Sequence, residues 1–326
     1  MFGYVGSQKV SPAVLKRQEV SSASRRRERP AQPPPILVNQ AWPCIPLEHD
    51  LVSSAAAALR RRPASELRVL TWNVWFDSRD QLVRRDALVR QLVAAAPDVV
   101  GLQEVVPEFA ASLRACEPLR SLYDISPQDV GRYGVMVLVR RELNASFSTQ
   151  ELPTAMGRTA VLATLGSRMP GVVVASTHLE SLANAHIRRS QLQQIATSLR
   201  AASPAAVLCG DFNFDASQNY GDWCRAGKRR EALENAVLKE LMPDFTDAWP
   251  EVRSEKGFTF DGVVNPINVR DGQERMRYDR VMATRTAFRV TAAEMLGTEA
   301  INDWDLRPSD HFGLLVDLQV LEASSA

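Results

Sequence analysis

Short apolar runs rich in valine and leucine recur along the chain at 67–72, 98–102, 135–139, 172–176, 206–209, 279–283 and 312–320. Runs of this length, without helical spacing and bounded by turn-forming residues, predict buried β-strands. Between them the spacing changes. Leu88, Val89, Leu92, Val93 and Ala96 return at helical intervals, as do Leu192, Ile195, Ala196 and Leu199, with charged and amide residues on the remaining faces. Both stretches predict helices that bury one side. Asp77 or Ser78 is placed to cap the first of them, and Pro97 to end it, because proline cannot continue a helical ladder. A shorter helix is expected around Ala55 to Arg62. From Leu67 to Val320 the mixed α/β rhythm is broken by neither a linker nor a repeat, which predicts one domain.

Outside that domain the composition shifts. From Gln8 to about Pro35 the chain is rich in Ser, Arg and Pro, with a basic cluster at Arg25, Arg26, Arg27 and Arg29. Such a segment buries too little apolar surface to offset its ordering entropy. The expected organisation is a disordered basic tail over 1–40, a linker with a short helix over 41–66, the domain over 67–322, and a tail over 323–326. The basic cluster fits a nuclear import signal, a contact to a phosphate backbone or a merely solvated segment, with a mitochondrial transit peptide as a further option.

At 326 residues, with 45% apolar and 24% charged residues, the composition is that of an ordinary globular enzyme. No apolar run approaches the ~18 residues that span a bilayer, and Met1 to Val10 lacks the apolar stretch of a secretory signal. No membrane insertion is expected. The four cysteines, Cys44, Cys116, Cys209 and Cys224, show no paired spacing, so neither a zinc site nor a disulfide framework is readable. A formal charge of +1 leaves the substrate open, since a basic groove and an acidic metal site cancel in the sum.

The chemistry gathers where the strands end. Thr71-Trp72-Asn73 follows Leu70, Gln103-Glu104 follows Leu102, and Ser176-Thr177-His178-Leu179-Glu180-Ser181 follows Ala175. Gly210-Asp211-Phe212-Asn213 follows the run ending at Cys209, and Ser309-Asp310-His311 immediately precedes the last run. A buried carboxylate or imidazole without a partner costs several kcal/mol, so a fold with several at strand ends must converge them on one wet or metal-filled site. Any one of these motifs alone is an ordinary turn; the set is not.

In this order the motifs resemble the endonuclease/exonuclease/phosphatase superfamily, and the resemblance covers Leu67 to Val320. Within it, STHLES at 176–181, YDRV at 278–281 and RPSDHFGLL at 307–315 look most similar to the tyrosyl-DNA phosphodiesterases that act at DNA 5′ ends. The resemblance implies a four-layer αββα sandwich: two packed mixed β-sheets flanked by helices, the DNase I-like fold, with the site at one edge. It implies a Mg²⁺-dependent hydrolase, with Mn²⁺ able to substitute. Glu104 would hold the metal, as a hard cation prefers anionic oxygen, with Asp310 as an outer ligand and Asn73 fixing metal waters or phosphate. Asp211 would orient and deprotonate the attacking water, and Asn213 would keep its geometry. His178 and His311 would donate hydrogen bonds to the phosphoryl oxygens, and Asp279 would orient and charge His311.

The expected substrate is DNA with a 5′-linked tyrosine or peptide, handled by a monomer in the nucleus, with the cytoplasm as a second location. Ser181, Phe260, Trp304, Arg188 and Arg277 are the candidate substrate contacts, and Trp249, Arg189 and Arg275 are further aromatic and basic candidates. Each alone is an ordinary core aromatic or solvated charge. Departures fall at the substrate groove: Leu182-Ala183 after HLES, Phe260 where a tryptophan is usual, and Val74-Trp75-Phe76-Asp77 after Asn73. The alternatives are another hydrolase of the superfamily, acting on abasic DNA, RNA tails, sphingomyelin or inositol phosphates, or an inactive scaffold that binds nucleic acid. Glu104, Asp211, Asn213 and His311 are all intact, which argues against the scaffold.

Overall fold

The computed structural model describes residues 45–224, 232–268 and 274–322, all within a compact unit that begins at Asn39. The expected disordered tail over 1–40 and the tail over 323–326 lie outside the described residues.

The strands in chain order are β1 (Glu66–Asn73), β2 (Val99–Val105), β3 (Tyr123–Ile125), β4 (Gly134–Arg140), β5 (Ser146–Glu151), β6 (Thr159–Thr164) and β7 (Val172–His178). There follow β8 (Ala205–Asp211), β9 (Phe245–Asp247), β10 (Phe260–Asp261), β11 (Arg275–Met276), β12 (Asp279–Thr284), β13 (Phe288–Leu296) and β14 (Gly313–Val320). The helices are α1 (His49–Arg61), α2 (Gln81–Ala95), α3 (Pro107–Ala115), α4 (Glu117–Leu122), α5 (Ala185–Ala202), α6 (Ala236–Leu241) and α7 (Ala248–Val252).

Two mixed six-stranded sheets result, in the orders β13-β14-β1-β2-β4-β3 and β5-β6-β7-β8-β12-β9, with β10 and β11 as a separate ribbon. Among the described residues, only β1–β2 and β7–β8 pair in parallel. Parallel neighbours need a crossover connection, and these are α2 and α5, the two helices whose apolar stripes are plainest in the sequence. Val69, Val99, Val137, Val174, Val207, Val281 and Val316 fill the space between the sheets. Leu70, Leu102 and Leu315 face the opposite way, against Leu88 and Leu92 of α2. On the second sheet, Val173, Ala175 and Leu208 pack against Leu192, Ile195 and Leu199 of α5. The layers are therefore helix, sheet, sheet, helix.

Strand alternation carries this inner face from apolar to polar toward one end. Next to the valines, Gln103 donates to Thr71 Oγ1 at 3.1 Å and to Ser176 Oγ at 3.0 Å. A Cβ at Gly101 would lie 2.4 Å from Ser176 Oγ, so a side chain there would force the two sheets apart. Two residues further along, the same faces present Asn73, His178 and Asp211. Gly210, with φ of 141°, brings β8 so close to β7 that a Cβ would lie 1.9 Å from Thr177 O; His178 then pairs in register with Asp211.

Two expectations change, and several strands were not anticipated. The helix α1 starts at His49, not Ala55, and buries Ala55 and Leu59 in the same core as α2, so it is packed structure and not a linker. Neither Asp77 nor Ser78 caps α2: its N-cap is Asp80 in a left-handed conformation, while Asp77 Oδ1 accepts from the Arg79 amide at 2.8 Å. Strands β3, β5, β6, β9, β10, β11 and β13 went unread: β3, β9, β10 and β11 are only two or three residues long, β5 and β13 are largely exposed, and β6 mixes threonine with small and apolar residues.

Candidate active site

Asp211, 2% exposed, stands at the centre of the polar end. Asn73 donates to its Oδ2 at 2.9 Å and the backbone amide of Asn213 donates to its Oδ1 at 2.9 Å. His178 Nε2 lies 3.4 Å and His311 Nε2 3.9 Å from the same Oδ2. Burial works to raise the pKa of this carboxyl, but the histidines, Asn73 and the Asn213 amide outweigh it, and Asp211 is held below the usual carboxylate range. It is an ionised, hydrogen-bonded base. Asn213 has a left-handed backbone (φ 56°), and its side chain donates to Leu179 O at 3.0 Å, which ties the β8 turn to the segment after β7.

The two histidines are tuned in opposite directions. Burial and the neighbouring Arg158 guanidinium lower the His178 pKa to about 3, so the ring is neutral. Burial also opposes charge on His311, but Asp279, 2.7 Å from its Nδ1, with Asp310 and Asp211 nearby, raises it well above the ordinary value. Asp279 is fixed by its own amide, which donates to Thr259 Oγ1 at 3.0 Å. Ser309 donates to Asn73 O at 2.6 Å and joins the segment before β14 to the end of β1.

Glu104 sits where the β2–β4 pairing is interrupted, with φ of 60°. A non-glycine residue there stores roughly 1–3 kcal/mol of strain. Its Oε2 accepts from the Phe76 amide at 3.1 Å, and its Oε1 lies 4.0 Å from His178 Nε2. Burial and the charge of Asp310 raise its pKa to about 7. Asp310 Oδ2 accepts from Asn268 at 2.7 Å. Glu104 and Asp310 thus bring two acidic side chains to this end of the site, the oxygen-donor type that a hard divalent cation takes. Asp211, Asp279 and His311 also bring ligand-type atoms within 4.8 Å of one another. That trio suits a cation less well, because His311 Nδ1 is spent on Asp279 and a protonated imidazole has no lone pair to give.

The remaining candidates separate. Ser181 Oγ accepts from Arg158 at 2.7 Å at the margin of the site. Phe260 is buried, edge-on to His311 with ring centroids 5.1 Å apart, and Trp304 is exposed. Arg188 and Arg277 are corrected as substrate contacts. Arg188 is 1% exposed and bridges Glu234 and the carbonyls of Glu180 and Leu182, and Arg277 is buried in a two-pronged pair with Asp247. Arg189 pairs with Glu240, and Arg275 with Asp261. Trp249 belongs to the core between the sheets. Sequence reasoning missed Arg158, which lies in no motif. It missed Tyr133 too, whose ring stacks on exposed Phe76 at 4.9 Å and lies 5.5 Å from the Arg158 guanidinium.

With two mixed sheets and these strand-end groups, the chain has the architecture of a metal-assisted phosphoester hydrolase. Residues 70–311 match the Endonuclease/Exonuclease/phosphatase family, and the chain belongs to it. Tyrosyl-DNA phosphodiesterase 2 of Xenopus laevis is 25% identical over 285 residues, covering 83% of this chain and 71% of that protein. The crystal structure of D. rerio tyrosyl-DNA phosphodiesterase 2 complexed with single strand DNA product aligns with a TM-score of 0.64 at 22% identity, covering 78% of this chain and 99% of that one. The human Nocturnin catalytic domain, solved with a bound sulfate anion, aligns with a TM-score of 0.55 at 19% identity over 79% of this chain and 95% of its own. Both structural likenesses speak for the fold.

Proposed function

We propose that this chain hydrolyses the bond between a 5′ phosphate of DNA and a tyrosine, with the help of Mg²⁺, leaving the phosphate on the DNA. Family membership and the similarity to tyrosyl-DNA phosphodiesterase 2 make it a phosphodiesterase-type hydrolase. The observation that carries the mechanism is the Asp211 carboxylate, gripped by Asn73 and the Asn213 amide between His178 and His311.

In this reading Asp211 accepts the proton of the attacking water, and its two hydrogen bonds keep the carboxylate aimed at that water. Protonated His311 and the Nε2–H of neutral His178 donate to the phosphoryl oxygens as charge grows on them. Asp279 keeps His311 charged and oriented. A divalent cation held by Glu104, with Asp310 and Asn73 beside it, would neutralise phosphoryl charge, and Mn²⁺ suits the same oxygen donors. Tyrosine suits this arrangement because a phenol of pKa ~10 departs with little general-acid help. The exposed face of Phe76, stacked on Tyr133, offers an aromatic surface beside Glu104 on which a base or phenol ring can lie.

The test is incubation of the purified chain with a single-stranded oligonucleotide bearing a 5′-phosphotyrosyl group, with Mg²⁺ or with excess chelator. Release of free tyrosine and a 5′-phosphorylated oligonucleotide only with Mg²⁺ is expected. No release, or equal release in chelator, contradicts the reading.

A further inference from the structure

We propose that Arg84 and Arg79 grip Trp75 to form a clasp that locks together the two segments flanking Glu104 and Asp310, making Arg84 a positioning residue for the metal-binding end of the site. The proposal rests on Glu104 and Asp310 being the metal-binding side chains. Trp75 belongs to the stretch in which this chain departs from the pattern of the tyrosyl-DNA phosphodiesterases, and the departure has a visible partner. The Arg84 guanidinium lies 4.5 Å from the centre of the Trp75 ring and that of Arg79 lies 5.0 Å from it. Trp75 is 3% exposed and adopts φ of 57°, a conformation a bulky residue keeps only where its surroundings hold it. Its amide donates to Asn73 Oδ1 at 3.0 Å, so the strained residue also orients the side chain that holds Asp211.

Arg84 is fully buried, and its donors go to backbone. Nε donates to Arg79 O at 2.7 Å, one terminal nitrogen to Asp77 O at 2.6 Å, and the other to Pro308 O at 3.3 Å and Val74 O at 3.5 Å. One planar group thus spans the loop after β1 and the segment that carries Asp310. Arg79 extends the clasp by donating to Ile267 O at 2.9 Å, and the adjacent Asn268 holds Asp310 Oδ2. Across the loop, the Phe76 amide holds Glu104 Oε2. Both candidate metal carboxylates are therefore oriented by residues that the clasp secures.

Amide hydrogen exchange on the full chain, without metal or substrate, and Mn²⁺ titration calorimetry test this together. In Arg84→Lys, which keeps the charge but reaches fewer carbonyls, exchange should accelerate in 74–79 and 309–312 together while 207–210 is unchanged, and the Mn²⁺ dissociation constant should rise at least fivefold. Arg79→Gln, at a partly exposed position and so safe for folding, should weaken Mn²⁺ by a smaller factor with an unchanged melting temperature. Loosening confined to 74–79, or Mn²⁺ affinity within twofold of wild type in both variants, overturns the clasp. Failure of the wild type to bind Mn²⁺ would instead remove the metal reading, and the exchange coupling would then decide the clasp alone.

Discussion

A guanidinium nitrogen of Arg158 lies 3.0 Å from Nδ1 of His178. A guanidinium can only donate, so Nδ1 accepts and the single proton of the neutral ring sits on Nε2, which faces Asp211 at 3.4 Å. Arg158 therefore sets the tautomer of His178 and, after burial, contributes most to keeping the ring neutral.

Arg158→Leu should release both controls. The His178 pKa should rise from about 3, with burial still holding it below the ordinary histidine range, and kcat should fall by roughly ten- to a hundredfold as the ring is freed to take the Nδ1–H tautomer, which has no donor at Nε2. Titration of the His178 ring by NMR, with kinetics at pH 8, checks this. An unchanged ring titration contradicts it.

Asp279→Asn should move the alkaline limb of kcat/KM. In the proposed mechanism His311 acts in its protonated form, and Asp279 holds its pKa well above the ordinary value, so activity should persist until the pH rises through that raised value. Without the aspartate charge the pKa falls and activity is lost at lower pH. A pH–rate profile with the limb unmoved would show that His311 charge is not used.

Glu104→Gln should stabilise the metal-free protein at pH 8. The Glu104 pKa is raised to about 7 in the folded chain, so its contribution is favourable at low pH and is lost as the pH rises from the unfolded value through about 7. Removing the ionised carboxylate should recover about 3 kcal/mol, or roughly 8 °C in Tm, at pH 8 and much less at pH 4. The same variant should show no Mg²⁺-dependent rise in Tm. A lower Tm at pH 8 would mark Glu104 as structural.

Arg188→Ala should behave as a stability variant. Its buried pair with Glu234 and its bonds to Glu180 O and Leu182 O would be broken with the carboxylate left behind, costing roughly 3–5 kcal/mol. KM for a DNA substrate should stay within twofold, measured below the lowered Tm. A selective rise in KM would restore Arg188 to the substrate groove.

The layered fold could be read because valine runs mark strands buried on both faces and the two crossover helices carry clear stripes. The central site could be read for a related reason: Asn73, His178 and Asp211 continue the inner-face alternation of strands whose apolar part is unmistakable. Arg158 could not, since it opens no motif and reaches His178 only because buried Glu180 ties down the loop before it, accepting from Thr154 Oγ1 at 2.7 Å and from the Ala155 amide at 2.9 Å. Arg188 and Arg277 misled for the converse reason. A basic residue near a motif reads as a phosphate contact until its buried partner, Glu234 or Asp247, far away in sequence, is known. Trp75 shows in sequence only as a departure, and its stacking partner lies on the next helix.

The most direct measurement is a competition between matched oligonucleotides carrying tyrosine on a 5′ or a 3′ phosphate, with Asp211→Asn as the inactive control. In the proposed mechanism water activated by Asp211 attacks opposite the leaving group, so reversing the linkage would send the DNA toward the exit of the tyrosine. A loss of even ~3 kcal/mol of transition-state binding slows the reaction by about two orders of magnitude. Release from the 5′ end at least a hundredfold faster is expected. Equal rates, or faster release from the 3′ end, would contradict the proposed substrate while leaving the family assignment intact.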